Sequence, residues 1–281
     1  MDRSPLPPAD VIPLRGRLPV ILSVPHSGRD YPRWVLDLSR RGRGSLASLE
    51  DPLVDRLVWR ALNLGCAAVI ARTPRAVIDC NRSLVEIDPT IIASAPDCDP
   101  GPRARGGLGI VPARTPRDGE LWRRKLTTRE LERRLEEVHR PYHEALAAAI
   151  ARTTAQHGEV VLLDCHSMPP RAGQVPVVIG DRFGRTAAAW IGDLARRTAE
   201  AHGFKTAMND PYAGGWIVER HGQPAEGVHA LQVEIDRTAY LDASFDDPGP
   251  GFDKVAKLFE ALVSDLGEAL LDRQALRAAA E

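Results

Sequence analysis

The sequence predicts an α/β protein built on a mostly parallel mixed sheet flanked by helices on both faces. Three observations carry that prediction. Short apolar runs rich in β-branched residues recur along the chain, at "LPVILSV", "CAAVIA", "EVVLLDC", "VPVVIG" and "ALQVEID". Amphipathic helical patterns separate them. Two of the runs also stop at a histidine, His26 in "VILSVPHSG" and His166 in "LLDCHSMPP". Open α/β sheets collect their ligands beyond the carboxyl ends of strands, where these two histidines fall.

Taken in order, residues 1–17 are rich in Pro and Arg and are expected to form a flexible N-terminal arm, with residues 18–281 as a single α/β domain. Residues 18–25 form a strand. "SLEDPLVDRLVWRALNLG" gives a helix after Pro52, with Leu53, Leu57, Val58 and Leu62 on one face and Gly65 ending it. "CAAVIA" and "AVIDC" are short strands joined near Thr73 and Pro74. Residues 83–120 lack periodicity, and a loop of that length is either a functional lid or an ordered insertion. From Thr127 to Gly158 runs a long helical pattern, interrupted near Pro141, with Thr128, Leu131, Leu135, Val138, Tyr142 and Leu146 as its apolar stripe. "EVVLLDC" and "VPVVIG" are strands, "RTAAAWIGDLARRTAEAHG" is a helix and "ALQVEID" a further strand. The C-terminal "DKVAKLFEALVSDLGEALLDRQALRAAAE" is an amphipathic helix.

Composition limits the function. The 281 residues are 43% hydrophobic and 27% charged, enough for a sizeable core. Thirty-seven basic residues nearly balance thirty-eight acidic ones, so no nucleic-acid partner is expected. No apolar window approaches a membrane span, and "MDRSPLPPAD" lacks the apolar segment of a leader, so a cytoplasmic protein is expected. Cys66, Cys80, Cys98 and Cys165 form no CxxC pair, which argues against a cysteine zinc knuckle. A nucleophilic Cys165 beside His166 is disfavoured, because adjacent strand residues point to opposite faces. "GDRFGR" lacks the Gly-Lys-Ser/Thr part of a phosphate loop.

The chemistry-bearing residues gather at strand ends. A catalytic zinc takes about three nitrogen or oxygen ligands and keeps a position open. Either His26 and His166 are buried, hydrogen-bonded core residues, or they supply two, with Asp30, Glu50 or Asp51 as a third; Glu50 and Asp51 alternatively cap the helix that begins near Pro52. In "VHALQVEIDR" Leu231, Val233 and Ile235 face one way and Gln232, Glu234 and Asp236 the other. Either this is an edge strand with one wet face, or Glu234 is a general base aimed into a pocket. "VIDCNRS" ends a strand with Asn81 and Arg82. An arginine there fits an acidic substrate, since it binds carboxylates through two parallel hydrogen bonds, or it forms an internal ion pair with Asp79 or Asp164. "YAGGWIVERHGQP" adds Gly214 and Gly215, which permit close backbone approach, with Arg220 and His221.

Together "VPHSG", "EDPLVDRLV", "VIDCNRS", "RGGLGIVP", "RPYHEAL", "LLDCHSMP", "VIGDRFG" and "NDPYAGGWIVERHGQPAEGVHALQVEIDR" resemble the N-formylglutamate amidohydrolase family. They run in order from about residue 20 to 245, and the ordered set is far more specific than any one piece. The family is similar in fold to zinc-dependent carboxypeptidases and amidoacylases, which implies a zinc-exopeptidase-like sheet. One departure stands out: the glutamate of the carboxypeptidase ligand motif, three residues after the first histidine, is Arg29 here. The resemblance points to Asp51 in its place. It implies hydrolysis of N-formyl-L-glutamate to formate and glutamate, a late step of histidine breakdown; the alternatives are a zinc deacylase or carboxypeptidase for another N-acyl amino acid or short acidic peptide, and a metal-free binding protein for acidic amino acids. One divalent ion, zinc, on His26, Asp51 and His166 would polarise the formyl oxygen and activate water. Glu234 would be the base, with Asn81 and Arg82 on one substrate carboxylate. Arg220 would hold the other carboxylate or steady the oxyanion, beside substrate-binding Gly214, Gly215 and His221.

Overall fold

The computed structural model describes residues 7–92 and 99–279, so Cys98 and part of the 83–120 loop fall outside it. Its strands are β1 (Ala9–Ile12), β2 (Val20–Val24), β3 (Ala67–Ala71), β4 (Arg114–Thr115), β5 (Gly119–Glu120), β6 (Val160–Met168), β7 (Val177–Gly180), β8 (Thr206–Met208) and β9 (Val228–Asp236). Seven of them form one sheet in the order β1-β3-β2-β6-β9-β7-β8, and β4 with β5 makes a small antiparallel ladder. β6 pairs in parallel with both β2 and β9, while β7 runs antiparallel to β9 and parallel to β8. Helices flank this mixed sheet, giving the α/β class that the alternating pattern predicts.

The central strands begin as near-continuous apolar runs because both their faces are covered, and their polar residues gather toward the carboxyl ends. Every residue of β2, β6 and β9 is buried. β9 is therefore no edge strand with a wet face: it lies between β6 and β7, and Gln232, Glu234 and Asp236 are buried polar groups. β6 continues past His166 to Met168 and stops where Pro169 and Pro170 remove ladder donors. The β6–β9 register sets Asp164 opposite Gln232 and His166 opposite Glu234. Side chains two apart share a face, so Asp164 with His166, and Gln232 with Glu234, project together.

Five local expectations are revised. "AVIDC" is buried but is not a strand: Val77 N–H bonds Pro74 O, Asp79 N–H bonds Ile110 O, and Asn81 N–H bonds the Asp79 side chain. Apolar content there reports burial, not pairing. Asn81 and Arg82 consequently sit on an irregular segment, not at a strand end. The helix after Pro52 is two short ones, Val54–Leu57 and Trp59–Asn63, pinched at Val58, where ψ is 1°. The N-cap of the first is Leu53, with φ of 59°, so neither Glu50 nor Asp51 caps it. Near Pro141 the long helix does not break; it passes through a π-helical turn, Leu135–His139, between Thr128–Arg134 and Arg140–His157. Proline lacks the N–H that an α-turn would need there, and a π turn absorbs such a defect. Lastly, Ala9–Ile12 of the Pro- and Arg-rich N-terminal stretch forms β1.

The chain divides into two compact units: Met1–Asp10 with Pro25–Glu50 and Ile70–Glu144, and Val11–Val24 with Asp51–Val69 and Ala145–Glu281. The second holds the sheet centre. There the C-terminal helix Phe252–Ala278 packs on β2, β6 and the helix Ala189–Ala201, while Trp216–His221 packs on β6 and β9. The first holds the irregular 75–82 segment, the helix Gly101–Arg105, the β4–β5 ladder and the start of the long helix. Among the described residues no helix is long and apolar enough to cross a membrane.

Leu163 lies on β6 with no exposed surface. Leu163→Ala should cost about 2–5 kcal/mol, read from urea unfolding. A cost below about 1 kcal/mol would contradict the central, fully packed placement of β6.

Candidate metal centre and active site

The second unit supplies a buried acid–imidazole ladder. His166 Nε2 lies 2.8 Å from Asp164 Oδ2, and its Nδ1 lies 3.0 Å from Asp51 Oδ2. Asp164 Oδ1 in turn accepts from Ser23 Oγ on β2 at 2.8 Å. Burial works against a charged imidazole at His166, but Asp164, Asp51 and Glu234 outweigh it and hold its pKa well above the ordinary value. So much buried negative charge calls for a cation. Asp51 is steadied from two sides: Tyr240 O–H donates to Pro52 O at 2.6 Å, and Arg237 Nη2 lies 3.3 Å from Asp51 Oδ1. On β9, Gln232 Nε2 donates to Glu234 Oε1 at 2.8 Å, while Gln232 Oε1 accepts from Gly215 N–H at 2.7 Å. One amide thus fixes the Glu234 carboxylate and ties down the glycine loop.

The first unit carries a second carboxylate–imidazole pair. His26 Nε2 lies 2.8 Å from Asp79 Oδ1, which also accepts from Asn81 N–H, and Asp79 Oδ2 takes Arg75 Nε at 2.8 Å. Burial would raise the Asp79 pKa, yet Arg75, His26 and Arg82 hold it well below the usual carboxylate range. Arg82 is not chiefly an ion-pair partner, since its Nε is 3.9 Å from Asp79. Instead Nε donates to Leu108 O at 2.9 Å and Nη1 to Asn81 O at 2.7 Å. Burial brings its pKa down to about 10, so it remains cationic at neutral pH.

His26, Asp51 and His166 each offer a ligand atom, and these atoms lie within 4.8 Å of one another. All three residues are buried. The donor set of two imidazoles and a carboxylate matches a catalytic divalent site. The surroundings match as well. Each histidine has its Nε2 on an aspartate, and a carboxylate on one ring nitrogen is the outer partner that metal-bound histidines usually show. The residues present therefore fit a metal ion. Of the other two candidates for the third ligand, Glu50 accepts from Tyr31 O–H, and half-exposed Asp30 pairs with Arg72. Cys165 points away from this face, with its thiol on Leu163 O, and burial pushes its pKa far up, which removes the thiolate a nucleophile needs. Cys66 and Cys80 are likewise buried and form no disulfide among the described residues.

The remaining candidates divide. Arg220 is exposed on the helix Trp216–His221. His221 on the same helix is buried, and burial with the charge of Arg220 lowers its pKa to about 4, so it is neutral at physiological pH. Gly214 has φ of +120°, and a Cβ there would meet Val218 Cγ2 at 2.7 Å, so the loop requires glycine. Gly215 N–H is already engaged by Gln232. Sequence reasoning missed Asp79 and Asp164 as histidine partners, Gln232 as the Glu234 partner, and Arg237. The signals existed: Asp164 is two residues from His166, Gln232 two from Glu234, and Arg237 one past the end of β9. Tyr212 was also missed. Its pKa is raised by burial and by the charges of Glu234 and Asp51, which puts it within their field.

Comparison with known proteins places this geometry. The family model described as N-formylglutamate amidohydrolase matches residues 18–241. The N-formylglutamate deformylases of Pseudomonas putida and Pseudomonas aeruginosa are 29% and 30% identical over 268 residues, with 92% of this chain and 94% of each relative covered. The crystal structure of N-formylglutamate amidohydrolase from Ralstonia eutropha JMP134 is 30% identical and superposes with a TM-score of 0.87, covering 95% of this chain and 99% of that one. A gene product of Agrobacterium tumefaciens, 20% identical with a TM-score of 0.67, shares the fold. With the family match spanning residues 18–241, His26, His166 and Glu234 among them, the chain belongs to the N-formylglutamate amidohydrolase family.

Proposed function

We propose that this chain hydrolyses N-formyl-L-glutamate to formate and L-glutamate, using one divalent metal ion, zinc, held by His26, Asp51 and His166. The observation that carries the proposal is the buried His–Asp–His cluster, with Glu234 in register beside His166, in a chain of this family. When bound, the ion supplies Lewis acidity toward the formyl oxygen and acidifies water. Zinc suits the donor set best, although manganese, iron or cobalt accept similar ligands.

The chain's own groups then divide the work. Glu234, oriented by Gln232, takes a proton from the water as its oxygen attacks the formyl carbon. As the C–N bond breaks, the same carboxyl returns the proton to the leaving nitrogen, releasing formate and the amino group of glutamate. Arg82 is already fixed by two carbonyls, so its remaining N–H groups meet one substrate carboxylate without further ordering, alongside Asn81. Arg237 is the cation beside Asp51, and it supersedes exposed Arg220 as the group for the second carboxylate or the oxyanion. The partner is thus a small molecule bearing carboxylates.

The direct test compares N-formylglutamate with N-acetylglutamate and Gly-Glu. The formyl compound should be turned over with the highest kcat/KM, and a preference for either other substrate would reassign the activity. Glu234→Gln should lower kcat about a hundredfold or more with little change in KM and with metal retained. Undiminished kcat would exclude the base. Arg82→Lys keeps the charge but loses the planar fork, and should raise KM roughly ten- to a hundredfold. For the metal, Asp51→Asn should weaken zinc binding in a competition titration whereas Glu50→Gln should not; the reverse pattern would move the ligand by one residue.

A further inference from the structure

The segment from Val77 to Arg82 has no strand neighbour, yet it is buried and carries Asn81 and Arg82. Its carbonyls need partners. One helical stretch provides them. Arg134 Nη1 donates to Val77 O at 2.7 Å. His139 Nε2 lies 3.0 Å from Arg82 O, and His143 Nε2 lies 3.0 Å from Cys80 O. A carbonyl oxygen only accepts, so both imidazoles carry their proton on Nε2 and donate it. The carbonyl between them, Asn81 O, is taken by Arg82 itself. The carbonyls of residues 80, 81 and 82 are therefore all capped by side chains.

The π turn Leu135–His139 makes this reach possible. Arg134 and His139 are five apart, a spacing that falls on different faces of an α-helix but on one face across a π turn, whose bonds span five residues. His143 follows four residues later on regular helix, and its ring centroid is 4.5 Å from that of His139. Both histidines are only 3% exposed.

We propose that His139 and His143 are positioning residues for substrate binding: from a π-distorted helix they clamp the Cys80 and Arg82 carbonyls and so fix Arg82 where a substrate carboxylate meets it. This rests on the reading of Arg82 as the carboxylate grip. Neither histidine touches substrate, and their effect passes through the backbone of residues 80–82.

The test uses the full-length, metal-loaded protein and N-formyl-L-glutamate. His139→Leu removes the donor and should raise KM about five- to tenfold, leaving kcat and bound metal near wild type. His139→Gln restores an N–H at similar reach and should recover most of the loss. In an Arg82→Lys background His139→Leu should add little, because the clamp acts through Arg82. Should the leucine variant fail to fold, His139→Asn, whose amide is too short for the carbonyl, should give the same rise in KM. Amide hydrogen exchange over residues 80–83 provides a readout independent of substrate, and protection there should fall in the variants that lose the donor. Wild-type KM in His139→Asn, or the same added loss in both backgrounds, overturns the clamp. So does unchanged protection at residues 80–83, even if N-formylglutamate proves not to be the substrate.

Discussion

Two buried aspartates set the geometry on which the rest depends. Asp79 and Asp164 have no exposed surface, and each holds the Nε2 of a histidine at 2.8 Å. Burying an ionised carboxylate costs several kcal/mol unless its lone pairs are filled. Here they are filled, by Arg75, Asn81 N–H and His26 around Asp79, and by Ser23 and His166 around Asp164. The benefit is directional. With Nε2 committed, each ring is held in one orientation, so two flexible side chains of the proposed metal site would be rigid donors before any ion arrives. Asp79 extends this control, because the oxygen that orients His26 also takes the Asn81 N–H of the segment proposed to hold substrate.

The sheet multiplies the effect. A strand repeats every two residues, so an acid placed two before a histidine faces the same way and reaches its ring. β6 uses that period for Asp164 and His166, and β9 uses it again for Gln232 and Glu234. Parallel pairing sets the two rows in register, and the prolines after Met168 end the ladder where the side chains are needed. Four polar residues at the centre of a sheet would be a liability if unpaired. Each has a partner on its own strand, which is why the central strands carry them.

Much of this was legible in the sequence. The apolar runs located β2, β3, β6, β7 and β9, since covered strands must be apolar throughout. His26, His166 and Glu234 stood out because they interrupt or follow those runs. The less legible parts fall where burial and regular structure separate. "AVIDC" has the composition of a strand and is buried like one, but its amides bond within the loop and to Ile110 O, information that composition does not hold. The π turn before Pro141 was visible only as an interruption, because helical periodicity does not report a single extra residue. Glu50 and Asp51 are adjacent and both acidic, so local sequence could not choose between them. In three dimensions they differ in their neighbours, Tyr31 on Glu50 and His166 on Asp51.

The central claim is that aspartate-oriented histidines present Nδ1 atoms, with Asp51, to a single ion. The most direct measurement is a crystal structure of the zinc-soaked protein with anomalous data collected across the zinc edge. The account predicts one strong anomalous peak per chain, bonded to Nδ1 of His26, Nδ1 of His166 and a carboxylate oxygen of Asp51, with Asp79 and Asp164 still on the Nε2 atoms. A peak bonded through Nε2 of either histidine, or no peak at these residues, would contradict it.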